Sequence, residues 1–248
     1  MIRARINNVR HETPSVNTLT FTWDHAVQPG QFAMLWMPGY GEIPMSFSST
    51  GKEKAFTVKN YGLTSSKVLE LVDGDYIYFR GPYGRGYTER KGRSLIIGGG
   101  SGMASLRPLI NDDSYGIVSA KTRSELLFRH MFHEASLMVA TDDGSEGIKG
   151  FPVDILKDMD ISPFKNIYIC GPEMMIFSIV KYLADKRPEA EASLERSMKC
   201  GIGVCDSCSV SGFQLCRDGP VFSVGEIANM KEYGHEKLSF SGRRVPVT

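Results

Sequence analysis

The chain has 248 residues, of which 42% are hydrophobic and 23% charged, enough for two modest domains of an ordinary globular protein. Its formal net charge of +1 gives no electrostatic reason to expect nucleic acid or an acidic membrane surface as a partner. No apolar run reaches the roughly 20 residues that span a bilayer. The N-terminal Met1-Ile-Arg-Ala-Arg-Ile-Asn-Asn8 lacks an apolar signal core, so a cytoplasmic location is expected.

Residues 1–91 read as short strands broken by turns. Thr18 to Trp23 and Ala55 to Lys59 alternate apolar and polar side chains, as half-buried strands do. Phe32 to Met37 follows the turn Gln28-Pro-Gly30, and Tyr76 to Phe79 stops at Gly81-Pro82. Strands at this spacing predict a small antiparallel barrel. The pattern changes after Lys91-Gly-Arg93. Ser94-Leu-Ile-Ile97 runs into Gly98-Gly-Gly-Ser-Gly102 and a helix start. Further apolar runs follow at Tyr115–Val118, Ser136–Ala140 and Asn166–Cys170, with helical segments between or after them, notably Glu173 to Lys186. Strand alternating with helix predicts a parallel sheet with crossovers over 92–190. Residues 191–248 form a third unit of turns and short runs.

Two loops of the second unit join a strand end to a helix start. In the first, Gly99, Gly100, Ser101 and Gly102 depart from Gly-x-Gly-x-x-Gly because Ser105 stands at the last position, and no carboxylate closes the second strand at Ser119 to Arg123. Glycines there still allow a diphosphate to approach the backbone. Lys121 and Arg123 suit either a 2′-phosphate or a solvated loop. The second loop is Cys170-Gly171-Pro172. Ligands of open α/β sheets lie at the carboxyl ends of strands, so the two loops are expected to border one crevice. By itself Cys170 reads as a small buried apolar residue.

The third unit carries the strongest signal. Four of the chain's five cysteines, Cys200, Cys205, Cys208 and Cys216, fall within seventeen residues. Their spacing, Cys-x4-Cys-x2-Cys-x7-Cys, matches in its first three members the plant-type [2Fe–2S] run. Gly201 and Gly203 let such a loop wrap tightly around a cluster. A structural zinc site or unligated thiols are the alternatives, although only Cys205 and Cys208 form a Cys-x2-Cys pair of the kind zinc ribbons use twice. His130 and His133 read as a solvated helix face, and Asp112-Asp113 and Asp142-Asp143 as loop acids.

Taken together, these motifs resemble the ferredoxin–NADP reductase superfamily over nearly the whole chain. Within it, Ser193-Leu-Glu-Arg-Ser-Met-Lys-Cys200 with the cysteine run, Cys216-Arg-Asp-Gly-Pro-Val-Phe222, and the stretches Asp142 to Gly147 and Lys149 to Pro152 are similar to the electron-transfer subunits of dihydroorotate dehydrogenase B. The resemblance implies an FAD-binding β-barrel over 1–91, a pyridine-nucleotide domain over 92–190 and a [2Fe–2S] segment over 191–248. Pro44, Met45 and Ser46 match the motif that holds the flavin and its diphosphate, with Ile43 where an arginine often begins it. Thr57, Val58 and Lys59, with Gly62, Leu63 and Thr64, match the second flavin-contacting segment. Cys170 falls near the nicotinamide and flavin rings, the position from which a catalytic role is expected. The implied partner is a separate FMN-containing catalytic subunit in a two-plus-two heterotetramer. It oxidises dihydroorotate in pyrimidine biosynthesis and passes electrons through the cluster and FAD to NAD, with NADP a second possibility. A related flavin subunit of a hydrogenase or of an NADH-dependent ferredoxin reductase would show the same parts. From another class, a structural zinc-binding protein would share only the cysteines.

Overall fold

The computed structural model describes residues 1–239 and 241–247, leaving Phe240 and Thr248 of the third unit outside the described residues. Six strands, β1 (Ile2–Thr13), β2 (Val16–Thr22), β3 (Phe32–Met37), β4 (Gly41–Ser49), β5 (Glu53–Lys59) and β6 (Tyr76–Tyr83), close into a barrel, with α1 (Leu63–Leu69) after β5. The order β1-β2-β5-β4-β3-β6 is antiparallel throughout. Alternation along the strands turns Phe21, Phe47, Phe56 and Phe79 inward, where all four are fully buried. Their ring centroids lie 4.9 to 6.4 Å apart. Burying each such ring stabilises the fold by about 1.5–3 kcal/mol, and this inward alternation pins the register.

The second layer is a seven-stranded sheet. It comprises β7 (Ser94–Gly99), β8 (Ser114–Ala120), β9 (Leu137–Thr141), β10 (Ile148–Lys149), β11 (Asn166–Cys170), β12 (Glu191–Ser193) and, after two short strands β13 (Ser209–Val210) and β14 (Phe213–Gln214) that pair with each other, β15 (Val221–Ser223). The order is β10-β9-β8-β7-β11-β12-β15, parallel except for β15, which runs antiparallel to β12. The central strands β7 and β11 are covered on both faces, so Leu95–Ile97 and Ile167–Cys170 are continuously apolar. Leu95, Ile97, Ile167 and Ile169 point to one core, and Ile96, Val118 and Tyr168 to the other. The helices are α2 (Met103–Leu106), α3 (Pro152–Lys157), α4 (Glu173–Leu183), α5 (Leu215–Asp218) and α6 (Val224–Ala228). A last hairpin pairs β16 (Glu236–Leu238) with β17 (Arg244–Pro246).

Two local expectations differ from the structure. The segment with His130 and His133 is not an α-helix. It consists of 3-10 turns at Arg123–Glu125, Arg129–Met131 and Glu134–Ser136, with Phe128 left-handed at φ 56°. Leu126, Leu127 and Phe128 are consecutive and all buried, and consecutive residues cannot share one helix face. The expected helix after the glycine loop is likewise one α turn, α2, between two 3-10 turns, with Pro108 in the second.

A short linker fixes the barrel to the sheet. The Tyr87 hydroxyl donates to the Ile169 carbonyl at 3.0 Å, and the Tyr168 hydroxyl donates to the Thr88 carbonyl at 2.7 Å. The buried Glu191 carboxylate accepts from the Thr88 N–H and hydroxyl, both at 2.9 Å. Glu191→Ala leaves that amide without its acceptor, so a loss of about 1–3 kcal/mol is expected. Glu191→Gln, which keeps a carbonyl oxygen, should lose less. Urea denaturation midpoints of the three proteins check the order.

Candidate functional site

A cleft of about 280 Å³ runs between the barrel and the carboxyl ends of the sheet strands. Its barrel wall is made of Pro44, Met45 and Ser46 on β4, Thr57 and Lys59 on β5, then Tyr61 and Ser65. Proline is tolerated inside β4 because β5 pairs with that strand only from Phe47 on, so at Pro44 one edge of β4 opens to the cleft. The sheet wall comes from three strand ends, with Ser101, Gly102 and Ser105 after β7, Cys170 at the end of β11, and Ser193 to Arg196 at the end of β12. A Cβ at Gly102 would meet the Cys170 and Gly171 backbone at 2.6 Å, so only glycine lets the two loops touch. The Tyr61 hydroxyl lies 2.9 Å from the Ser101 hydroxyl, across the mouth of the cleft.

Of the residues expected from the sequence, Pro44, Met45, Ser46, Thr57, Lys59, Ser101, Gly102 and Cys170 line this cleft. Val58 alternates into the barrel core and is fully buried. Gly62 caps α1, Leu63 is exposed, and the Thr64 hydroxyl donates to the Tyr40 carbonyl at 2.6 Å. Gly99, Gly100, Gly171 and Pro172 shape the loops behind the wall. At Gly99 a Cβ would fall 2.5 Å from the Met175 sulfur, and Gly100 has φ +51°.

The chemistry of the wall is uneven. Burial pushes the Cys170 thiol up to about 12, against the smaller opposing effect of hydrogen bonds with Ser105 and Ser193. Cys170 is therefore a neutral thiol, not a nucleophile. Solvent reaches Glu195, yet the surrounding protein strips hydration from its carboxyl and raises its pKa. Lys59 is the cation on the barrel wall, 3.7 Å from Glu125. Away from the cleft, Arg123 and Arg129 both pair with Glu146.

The cysteine loop leaves the sheet at the end of β12 and returns as β15, with the Leu194 N–H donating to the Pro220 carbonyl at 2.9 Å. Gly201 and Gly203 are left-handed at φ +72° and +74°, and so is Asp206 at +59°. This coiling turns backbone amides inward onto sulfur. The Ile202 and Val204 N–H groups both donate to Cys200 Sγ at 3.4 Å, and the Gly203 N–H donates to Cys216 Sγ at 3.1 Å. Burial alone would raise the Cys200 thiol, but the Ile202, Val204 and Cys205 amides, with the Cys205 side chain, outweigh it and bring it down to about 6. Burial and the Cys208 thiol push Cys216 up to about 12. Among the described residues no three His, Cys, Asp or Glu side chains gather closely enough to hold a single metal ion.

Sequence spacing assigned no role to the ion pair that ties this loop to the sheet. Arg196 donates from both terminal nitrogens to Glu173 at 2.6 Å, and Glu173 also accepts from the Gly234 N–H at 2.8 Å. Arg196 is only 4% exposed, and its Nε has no partner. The available signal was position. Arg196 comes three residues after the end of a buried strand, and Glu173 opens the helix after the Cys170 loop. Glu173→Ala leaves a buried guanidinium uncompensated, for which a loss of about 3–5 kcal/mol is expected. Thermal denaturation of the intact chain measures it.

Three comparisons place this geometry. Residues 195–228 match the iron–sulfur cluster binding domain of dihydroorotate dehydrogenase B. The chain is 51% identical to the probable dihydroorotate dehydrogenase B (NAD(+)) electron transfer subunit of Thermoplasma acidophilum, over 99% of this chain and 98% of that one. It is 38% identical to the corresponding subunit of Methanocaldococcus jannaschii, over 97% and 96%. A solved NADH-dependent reduced ferredoxin–NADP oxidoreductase, described for flavin-based electron bifurcation, superposes with a TM-score of 0.77 at 26% identity, covering 91% of this chain and 90% of that one. Phthalate dioxygenase reductase shares the fold at a TM-score of 0.62 and 12% identity, over 99% and 76%. With half its residues shared along its full length, the chain belongs to the family of dihydroorotate dehydrogenase B electron transfer subunits.

Proposed function

We propose that the chain carries electrons from a dihydroorotate-oxidising catalytic subunit, through a [2Fe–2S] cluster and FAD, to NAD in pyrimidine biosynthesis. The observation that carries this reading is the position of the cysteine loop. It departs from the end of β12, and the same strand end supplies Ser193 to Arg196 to the cleft. When bound, a flavin exchanges two electrons as hydride with a nicotinamide and single electrons with a cluster, which makes the pair a converter between the two modes.

The residues suit these groups. The coiled loop aims amide N–H groups at sulfur, as cluster-binding loops do, and its four cysteines supply the four thiolates such a cluster takes. In the cleft, Pro44 to Ser46 hold the flavin, and Lys59 supplies the cation for the diphosphate that an arginine at Ile43 would otherwise provide. The neutral Cys170 packs beside the reacting rings without competing as a nucleophile, and Gly99 to Gly102 with Gly171 and Pro172 border the nicotinamide nucleotide. The cleft walls exclude water around the exchange. We read units of 1–91, 92–190 and 191–248 for the three cofactor roles, and a two-plus-two assembly with an FMN-containing catalytic partner. Ile202 and Val204, 53% and 75% exposed beside the exposed Cys205, suit that partner's contact with the cluster loop.

Two measurements test the reading. Cys200→Ser, Cys205→Ser and Cys208→Ser should each lose iron and acid-labile sulfide while keeping flavin, and full cluster content in all three would sink the ligand assignment. In stopped-flow absorbance, dihydroorotate should leave the chain's chromophores oxidised when it is alone and reduce them once the catalytic subunit is added. Reduction without the partner would refute the division of labour.

A further inference from the structure

The cysteine loop is fastened to the flavin barrel as well as to its own sheet, and the fastening is charged. On β6, Arg80 donates from Nη1 to the Cys200 carbonyl at 2.6 Å. Its Nε and Nη2 donate to the Glu42 carboxylate on β4 at 2.9 and 2.7 Å. Both side chains are only 24% exposed. Beneath the loop, Met34 on β3 is fully buried, and a Cβ at Gly201 would fall 2.8 Å from its Cγ. Met34 and Arg80 lie in one cross-strand row, and Glu42 is in register with Trp36, two residues along β3. Met34 is in register with Pro44 on one side and with Arg80 on the other. The row therefore runs from the cleft wall to the cluster loop across two strand spacings, roughly 10 Å.

We propose that Arg80 is a positioning residue for the cluster that also sets its potential, with Glu42 as the opposing charge. This rests on the reading that the four cysteines hold the cluster. The hydrogen bond to the Cys200 carbonyl fixes a ligand residue to the same strands that carry Pro44. The guanidinium stands beside a group that gains one negative charge when it takes one electron, so its positive charge favours the reduced form. Glu42, doubly bonded to it, limits that effect. Two further ion pairs lie near the cysteines: Arg217 with Asp218 is within the cluster segment itself, and Arg196 with Glu173 ties that segment to the sheet and not to the barrel.

Charge and fastening separate experimentally because the two partners pull the potential in opposite directions. The reconstituted full chain is titrated spectroelectrochemically, with iron and sulfide counted per chain. Arg80→Met removes the cation and leaves Glu42 unmatched, so the cluster's midpoint should fall. Glu42→Gln leaves Arg80 uncompensated, so the midpoint should rise. The expected size is about tenfold in the one-electron equilibrium constant in each direction, about 59 mV. Arg80→Lys keeps the charge without the planar fork and should fall between wild type and Arg80→Met. If Arg80→Met fails to hold the cluster, the rise in Glu42→Gln and a midpoint below wild type in Arg80→Lys carry the test. Midpoints that stay put with full cluster content, or that move the same way in Arg80→Met and Glu42→Gln, would overturn the proposal. A wild-type chain that takes up no iron and sulfide would instead overturn the cluster reading beneath it.

Discussion

The barrel and the sheet are useful only as a pair, and what holds them as a pair is the hydrogen-bonded clasp on residues 87–90. Two tyrosines exchange bonds across it, Tyr87 to the Ile169 carbonyl and Tyr168 to the Thr88 carbonyl, with their rings 5.3 Å apart. Glu191 takes both polar groups of Thr88, and Asn166 Nδ2 donates to the Arg90 carbonyl at 2.9 Å. Domain interfaces within a chain normally permit relative motion. Here the linker backbone is bonded to β11 and β12, the strands whose ends form the cleft. Apolar contacts reinforce this, since Phe32 and Met34 of the barrel belong to the core that packs under the sheet. The width of the cleft is therefore set by covalent and hydrogen-bonded geometry.

Parallel topology explains why so much chemistry meets in one place. Parallel strands present all their carboxyl ends on one side of a sheet, and β7, β11 and β12 are adjacent. Each contributes a different element, namely the glycine turn, the Cys170 loop, and the exit into the cysteine segment. The antiparallel β15 then brings that segment back, so the cysteine loop is an excursion anchored at both ends by one strand pair. Glu173 and Arg196 tie the second and third of these elements together, and Gly234 joins the same carboxylate from the C-terminal region.

The parallel sheet, the antiparallel barrel and the cysteine loop were legible because each rests on a short-range pattern. Ser94 to Ile97 and Asn166 to Cys170 are apolar runs between turns, and the cysteine spacing is itself the signal. The 126–132 region was not legible as a crossover without an α-helix, because its buried Leu126, Leu127 and Phe128 are placed by tertiary contacts and not by helical period. The strand around Pro44 was hidden for a related reason. Proline argues against a strand unless the neighbouring strand is missing there, and only the fold shows that β5 begins its pairing at Phe47. Arg80 gave no sequence signal, and Arg196 gave only its position after a buried strand. Each bonds to groups far along the chain, Cys200 and Glu173, so their roles exist only after folding.

The two kinds of electron exchange make different demands on the protein, and the structure meets them with different elements. Single-electron transfer between cofactors depends on distance and driving force. Strand spacing fixes the first, and the second is the role proposed for the charges of the Glu42–Arg80 pair. Hydride exchange needs close contact and the exclusion of water, which loops provide. Gly102 allows the backbone approach to Cys170, and Tyr61 meets Ser101 over the mouth of the cleft. Pro44 lies where these demands meet, with its open edge toward the cleft and its register partner Met34 under the cysteine loop. A change in the β3–β4–β6 row would therefore move the cluster relative to the cleft, whereas a change in the glycine loop would alter what the cleft admits and leave the cluster where it is.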